Sequence, residues 1–331
     1  MQLNKNIKIF INYFFGPLLF TWLAFSIYRQ IIHQTQLEES WFRIKQSLQS
    51  YKIIYLVVAI CLIPVNWGLE AWKWKLSIKD VYPIKFAQAF KAILSGVSFS
   101  VTMPNRVGEY LGRMMYLPEG NRLKTISVTL VGSFAQLLIT IIAGTIGVIV
   151  LKKVLLFHFS DFRIWYQFFV YGLMVISIGL VLIYFNVAGV VNVFKYWTKN
   201  ERYVYLVDSL RNFHAKLLSQ LLILSFFRYL VFVIQYILVF YLFEVNVSVA
   251  TIIAVMSIVF LVMAIVPSIA LVEVGLRGEI SIRMMGFFSA NTLGIGFTSI
   301  TVWFINLILP AIIGSLLLLN LRVFKKRNEN L

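Results

Sequence analysis

Apolar stretches as long as a bilayer's hydrocarbon core is thick recur along this chain, and no other feature narrows its fold so far. That core is roughly 30 Å deep, so a helix crossing it needs about 20 predominantly apolar residues. Blocks of this kind lie at 11–32, 51–72, 124–151, 164–185, 218–242 and 297–320. Backbone in lipid must satisfy its own hydrogen bonds, which makes each block a helix. Of the 331 residues, 60% are hydrophobic and 13% are charged, against about 25% charged in a soluble domain. Too little polar side chain is present to cover a water-facing surface. The expected fold class is all-α: a polytopic transmembrane helix bundle of about six full spans, forming a single integral membrane domain over 1–331.

Two further apolar stretches, 85–117 and 249–287, are each interrupted by a proline and then by several charges. A helix cannot carry its hydrogen-bond ladder through Pro104 or Pro267 without a break, and Gly108 adds freedom to the first segment. Non-helical backbone at membrane depth survives only where protein or a water-filled cavity surrounds it. Both stretches are therefore expected to be broken or re-entrant helix pairs lining an internal site.

The charge balance, +17 from 30 Lys and Arg against 13 Asp and Glu, would point to nucleic acid in a soluble protein. Here the basic residues fall in short loops between apolar blocks, where they orient helices and meet anionic lipid. With the N-terminus inside, 17 of the 30 lie in cytoplasmic segments: Lys5 and Lys8, Lys73 through Lys85, Arg122 and Lys124, Lys195 through Lys216, and Arg322 through Arg327. Seven lie outside, and six sit within apolar or broken segments. The expected location is the cell inner (cytoplasmic) membrane with both termini cytoplasmic. The first block has no small-residue cleavage site after it and reads as a retained helix. A lone Cys61 excludes an intrachain disulfide, and His33, His158 and His214 lack metal-ligand spacing. Neither a metal nor a cofactor is expected.

Gly108-Glu109-x-x-x-Arg113-Met114-Met115 resembles Gly278-Glu279-x-x-x-Arg283-Met284-Met285. The surroundings repeat as well: span, connecting segment, span, broken helix, span. Leu37, Trp41, Ile44 and Leu48 fall at helical spacing, as do Tyr203, Val207, Leu210 and Leu217, so both connectors read as amphipathic interfacial helices. Halves 1–155 and 156–331 would then be inverted relative to each other, an arrangement used by transporters.

Candidate site residues come from the broken segments. Arg106, Glu109 and Arg113 share one helical face, and Glu273–Arg277 and Glu279–Arg283 repeat the i, i+4 spacing of Glu109–Arg113. A charge at the bilayer centre costs at least about 2.5–3.5 kcal/mol, so such residues pair or face a cavity. Two facing Arg/Glu clusters enclosing a polar site are expected. A guanidinium grips phosphate through parallel hydrogen bonds and keeps its charge when desolvated, which suits an anionic lipid headgroup. Structural ion pairs between broken helices would give the same pattern. Glu70, among Trp67, Trp72 and Trp74, reads as an interface residue in an aromatic belt. Arg228 either joins the site or snorkels to the cytoplasmic surface, and Lys91 reads as an entry-side residue.

The run Pro104-Asn105-Arg106-x-Gly108-Glu109-x-x-x-Arg113, followed by Pro267, Glu273 and Arg277, resembles the lysylphosphatidylglycerol synthase transmembrane-region family, also called flippase-like integral membrane proteins. The resemblance covers nearly the whole chain. Where the family carries a glycine-rich Pro-x-Gly-Gly-x-Gly-x-x-Glu run, this chain has Ser, Ile, Ala, Leu and Val between Pro267 and Glu273. Members fused to an aminoacyl-transferase domain make and move aminoacylated phospholipid. This chain stops at Leu331, so the resemblance implies the translocase part alone. The expected function is a lipid translocase whose partners are membrane lipids, with homo-oligomers allowed. No nucleotide-binding loop or catalytic motif is present. A membrane-embedded lipid-modifying transferase and a small-solute carrier are the alternatives.

Overall fold

The structure, a computed structural model, describes residues 16–32, 37–101, 103, 107–159, 161, 163–197, 209–266 and 270–328. Pro104, Arg106, Pro267, Tyr203 and Val207 lie outside the described residues. Within them the chain is helical, without strands. Helix α1 (Gly16–Ile32) is followed by α2 (Leu37–Leu48), α3 (Ile53–Ile78), and the pair α4 (Phe86–Ser100) and α5 (Val107–Met114). Next come α6 (Arg122–Val150), α7 (Lys152–His158), α8 (Arg163–Phe185) and α9 (Val187–Trp197). The chain continues with α10 (Ala215–Leu242), the pair α11 (Val249–Ile265) and α12 (Ala270–Met285), then α13 (Thr292–Trp303), a π-helical turn (Phe304–Ile308) and α14 (Leu309–Asn328). Five of the six expected spans are helices of 23 to 28 residues, apolar enough to cross a bilayer. The first is described from Gly16 onward.

Apolar side chains face both ways, as a lipid solvent demands. On α8, Ile164, Phe168, Val175 and Leu182 recur at helical spacing and are all largely exposed. An outward stripe of that kind would drive association in water and is neutral in hydrocarbon.

The centre of the bundle is the antiparallel pair α3 and α10. Its register is fixed by polar contacts along its length. Lys52 meets Glu244 at one end, Gln235 Nε2 donates to the Ala59 carbonyl at 2.9 Å, and Arg228 Nε donates to Asn66 at 3.0 Å. Around this pair the packing is reciprocal: α4 lies against α14 while α11 lies against α6, and α3 packs on α4 as α10 packs on α11. The α4–α5 pair closes backbone to backbone. A Cβ on Gly108 would fall 2.3 Å from the Phe99 carbonyl, and one on Gly112 would fall 2.3 Å from the Gly96 nitrogen. Gly108 lies inside α5, so its part is close approach between two helices rather than a break.

Two expectations change. The protein-facing side of α2 is Ser40, Ile44 and Ser47, whereas Trp41 and Leu48 turn outward. The Ser47 hydroxyl caps the Leu242 carbonyl at 2.6 Å, which explains the choice of face: it satisfies a carbonyl at the end of α10. The connector near 194–217 is not one helix, because Leu210 lies on a short 3₁₀ turn and Leu217 is buried within α10.

Candidate functional site

Glu70 stands about two turns before the end of α3 and is 4% exposed. Three cations share its carboxylate. Lys73 Nζ on the same helix and Arg228 Nη1 of α10 lie 2.7 and 2.6 Å from Oε2, and Arg113 Nη2 of α5 lies 3.2 Å from Oε1. Arg113 also reaches Glu109 at 3.0 Å. Lys73, Arg113 and Arg228 are all buried. The Arg228 guanidinium lies over the Trp67 ring, 5.0 Å from its centroid, a cation–π contact that holds the plane flat. Among the described residues this hub therefore gathers three cations and two carboxylates. Near the hub, Arg113 Nε, Trp67 Nε1 and the Ser225 hydroxyl one turn from Arg228 have no hydrogen-bond partner among the described residues.

A string of neutral amides leads away from the hub. Arg228 Nε donates to Asn66 Oδ1, Asn66 Nδ2 to Asn306 Oδ1 at 3.1 Å, and Asn306 Nδ2 to Gln235 Oε1 at 2.9 Å. Gln235 then donates to the Ala59 carbonyl. Asn66 and Gln235 are fully buried and Asn306 nearly so. Asn306 sits in the π-helical turn, and that turn has a local cause. Pro310 follows four residues later and has no N–H for the Asn306 carbonyl, so the ladder is re-registered through Leu309 N–H to Phe304 O.

At the far end of α10 lies the second group. Glu273 and Arg277, one turn apart on α12, form a buried ion pair. Fully buried Tyr236 of α10 is within their electrostatic reach. Tyr236 is eight residues beyond Arg228, about 12 Å of helix rise. The described charges thus form two groups strung along one helix, in place of two clusters facing each other. Glu279 and Arg283 belong elsewhere. The Glu279 carboxylate accepts from Ser26 and Gln30 of α1 at 3.1 and 2.7 Å and from Arg283 Nε at 2.6 Å, and the Arg283 side chain is 66% exposed. They join α1 to α12.

Several side chains are placed differently from expectation. Glu70 is the hub and not an interface residue, and Lys73 is buried rather than in a cytoplasmic loop. Trp67 and Trp74 are buried, leaving Trp72 outward as a belt residue. Trp74 Nε1 donates to Thr129 at 3.1 Å. Arg228 turns inward. The i, i+3 pair Glu70–Lys73 in an apolar helix was the available signal for the hub. The expected carriers Glu109 and Arg113 are in the hub, Lys91 is exposed, and no group of three or more His, Cys, Asp or Glu gathers among the described residues.

Outside the spans, Lys52 and Glu244 clasp the starts and ends of α3 and α10. The hydrogen bond to the Glu244 carboxylate holds the Lys52 ammonium above its ordinary pKa. Glu244 adopts a left-handed backbone at φ 59°, where a non-glycine residue is uncommon.

Compared with known proteins, residues 14–314 match the family described as Lysylphosphatidylglycerol synthase TM region. That range takes in the hub, the amide string and the Glu273–Arg277 pair. No curated protein matches the chain.

Proposed function

Because the chain belongs to the lysylphosphatidylglycerol synthase transmembrane-region family, we propose that it is a lipid translocase that takes an anionic headgroup at the Glu70 hub. The observation that carries this reading is the hub's composition: among the described residues, three buried cations stand against two carboxylates, and nearby donors lack acceptors. An excess of buried positive charge is costly in a low dielectric unless an anion joins it. A phosphate oxygen supplies both the charge and the acceptors, and a guanidinium binds it with two parallel bonds. Glu70, shared by all three cations, offsets part of their mutual repulsion.

The end of the bundle carrying Lys79 and Lys85 faces the cytoplasm in this reading, by the bias of basic residues. The hub then serves the cytoplasmic leaflet and the Glu273–Arg277 pair the opposite one, with acyl chains left in lipid. The reciprocal packing of α4 on α14 and α11 on α6 supports reading 1–155 and 156–331 as inverted halves that rock about the α3–α10 pair.

The test is leaflet movement. Purified protein in liposomes is expected to move a labelled anionic phospholipid between leaflets, and Arg113→Gln is expected to slow movement at least tenfold while the protein stays folded. Formation of a new lipid product without movement would replace this reading with a membrane-embedded transferase.

A further inference from the structure

We infer that Asn66, Asn306 and Gln235 form a neutral plug between the two charged groups, and that a headgroup passes from one to the other only when the Asn66–Asn306 contact parts. This rests on the translocase reading. Three observations carry it. The amides come from three separate elements, α3, the π-helical turn and α10. They span the interval between the charges, since the string is bonded to Arg228 at one end and finishes at Gln235, the chain neighbour of Tyr236. And the string is complete: each amide both donates and accepts a hydrogen bond, and Asn306 Nδ2 also reaches the Val302 carbonyl at 3.0 Å. The three amide oxygens are already engaged by Arg228, Asn66 and Asn306, and the amides bridge α3, the π-helical turn and α10, so a headgroup crosses this interval only by parting one of these bonds.

The π-helical turn makes that break inexpensive. It already departs from the i→i−4 ladder because of Pro310, and π turns are a short step in register from the α-helix. Re-registering by one residue would rotate Asn306 by about 100° around the helix axis, taking its amide away from both Asn66 and Gln235. Arg228 would lose the acceptor chain behind Asn66 while its Nη1 stays on Glu70, so opening the plug weakens one of the contacts that hold the guanidinium.

The test uses paired cysteines in the full chain with the exposed native Cys61 changed to serine. Asn66→Cys with Asn306→Cys, and separately Gln235→Cys with Asn306→Cys, are reconstituted and bridged with mercuric ion, which joins two thiols and is removed by excess dithiothreitol. The expected result is at least a tenfold loss of leaflet movement in either bridged pair, recovery on adding dithiothreitol, and no loss in the single-cysteine variants given the same reagent. A thiol-reversible loss is not a folding defect. Undiminished movement in the bridged proteins would overturn the plug and leave the translocase reading standing. Absence of movement in the unmodified protein would overturn both. Should one pair fail to fold, the other decides.

Discussion

The hub around Glu70 and the pair at Glu273–Arg277 are built from the same residue types and differ in what they connect. At the hub, one carboxylate on α3 is shared with cations from α3, α5 and α10. At the other end, the carboxylate and its cation are residues one turn apart on α12, with Tyr236 of α10 beside them. An ion pair within one helix is made as soon as the helix forms. A carboxylate shared among three helices depends on their assembly, and it fixes how the short α5 sits against the central α3–α10 pair. The hub is thus where charge and tertiary structure are coupled, and it is also where positive charge is in excess.

The sharpest way to break this comparison is to remove the acid at each place. Glu70→Gln leaves Lys73, Arg113 and Arg228 buried together, and is expected to cost about 3–5 kcal/mol or more. Glu273→Gln removes the ion pair of a single arginine and is expected to cost less than half as much. Thermal unfolding of the two variants in detergent checks the order. Equal losses would mean that the number of elements joined does not matter.

Next in size is a matched pair of glycines. A Cβ on Gly108 meets the Phe99 backbone at 2.3 Å, whereas one on Gly278 meets only the tip of the Ile27 side chain at 3.1 Å. Gly108→Ala is expected to cost about 1–3 kcal/mol by overpacking and to displace Arg113. Gly278→Ala should fall below about 1 kcal/mol, since a flexible tip can yield. The same melting experiment reads both.

Arg228→Lys sharpens the comparison at the level of geometry. The ammonium can keep Glu70 but not Glu70 and Asn66 together, so a loss of about 1–2 kcal/mol is expected. Arg277→Lys, with the Glu273 carboxylate within its own helix, should lose less.

The smallest effect belongs to the Lys52–Glu244 clasp. Lys52→Gln is expected to cost about 0.2–1 kcal/mol. Because the folded-state pKa of Lys52 is raised, the contribution is fully present below the ordinary lysine value near 10.5 and fades as pH rises through the higher folded value. A melting series from about pH 7 upward should therefore show the gap between Lys52→Gln and the parent constant at first and narrowing only beyond the ordinary lysine range.

Hydropathy and proline placement were enough to outline the fold. The span limits at 51–72, 164–185 and 218–242 meet helices at Ile53–Ile78, Arg163–Phe185 and Ala215–Leu242, because block length and bilayer thickness are one constraint. The paired helices Phe86–Ser100 with Val107–Met114 and Val249–Ile265 with Ala270–Met285 fall where apolar runs carry an internal proline. The site was half readable. Glu109–Arg113 and Glu273–Arg277 follow from i, i+4 spacing, which is local. The hub does not, since Glu70, Arg113 and Arg228 meet only after three distant segments pack. Lys73 was misplaced for a related reason: α3 runs several residues past the block that hydropathy marks, carrying its charges inward. Asn66, Asn306 and Gln235 gave no signal as single amides in apolar helices, and only their mutual bonds reveal them.

Photolabelling probes the anion-binding claim most directly. A phospholipid carrying a photoreactive group on an anionic headgroup, incubated with the purified protein and activated by light, should label peptides containing Trp67–Trp74, Leu111–Met114 and Ser225–Tyr229. Unlabelled anionic phospholipid should compete, and a zwitterionic lipid with the same acyl chains should not. Labelling spread over the outward faces of the spans, or competition by both lipids alike, would contradict an anion site at Glu70.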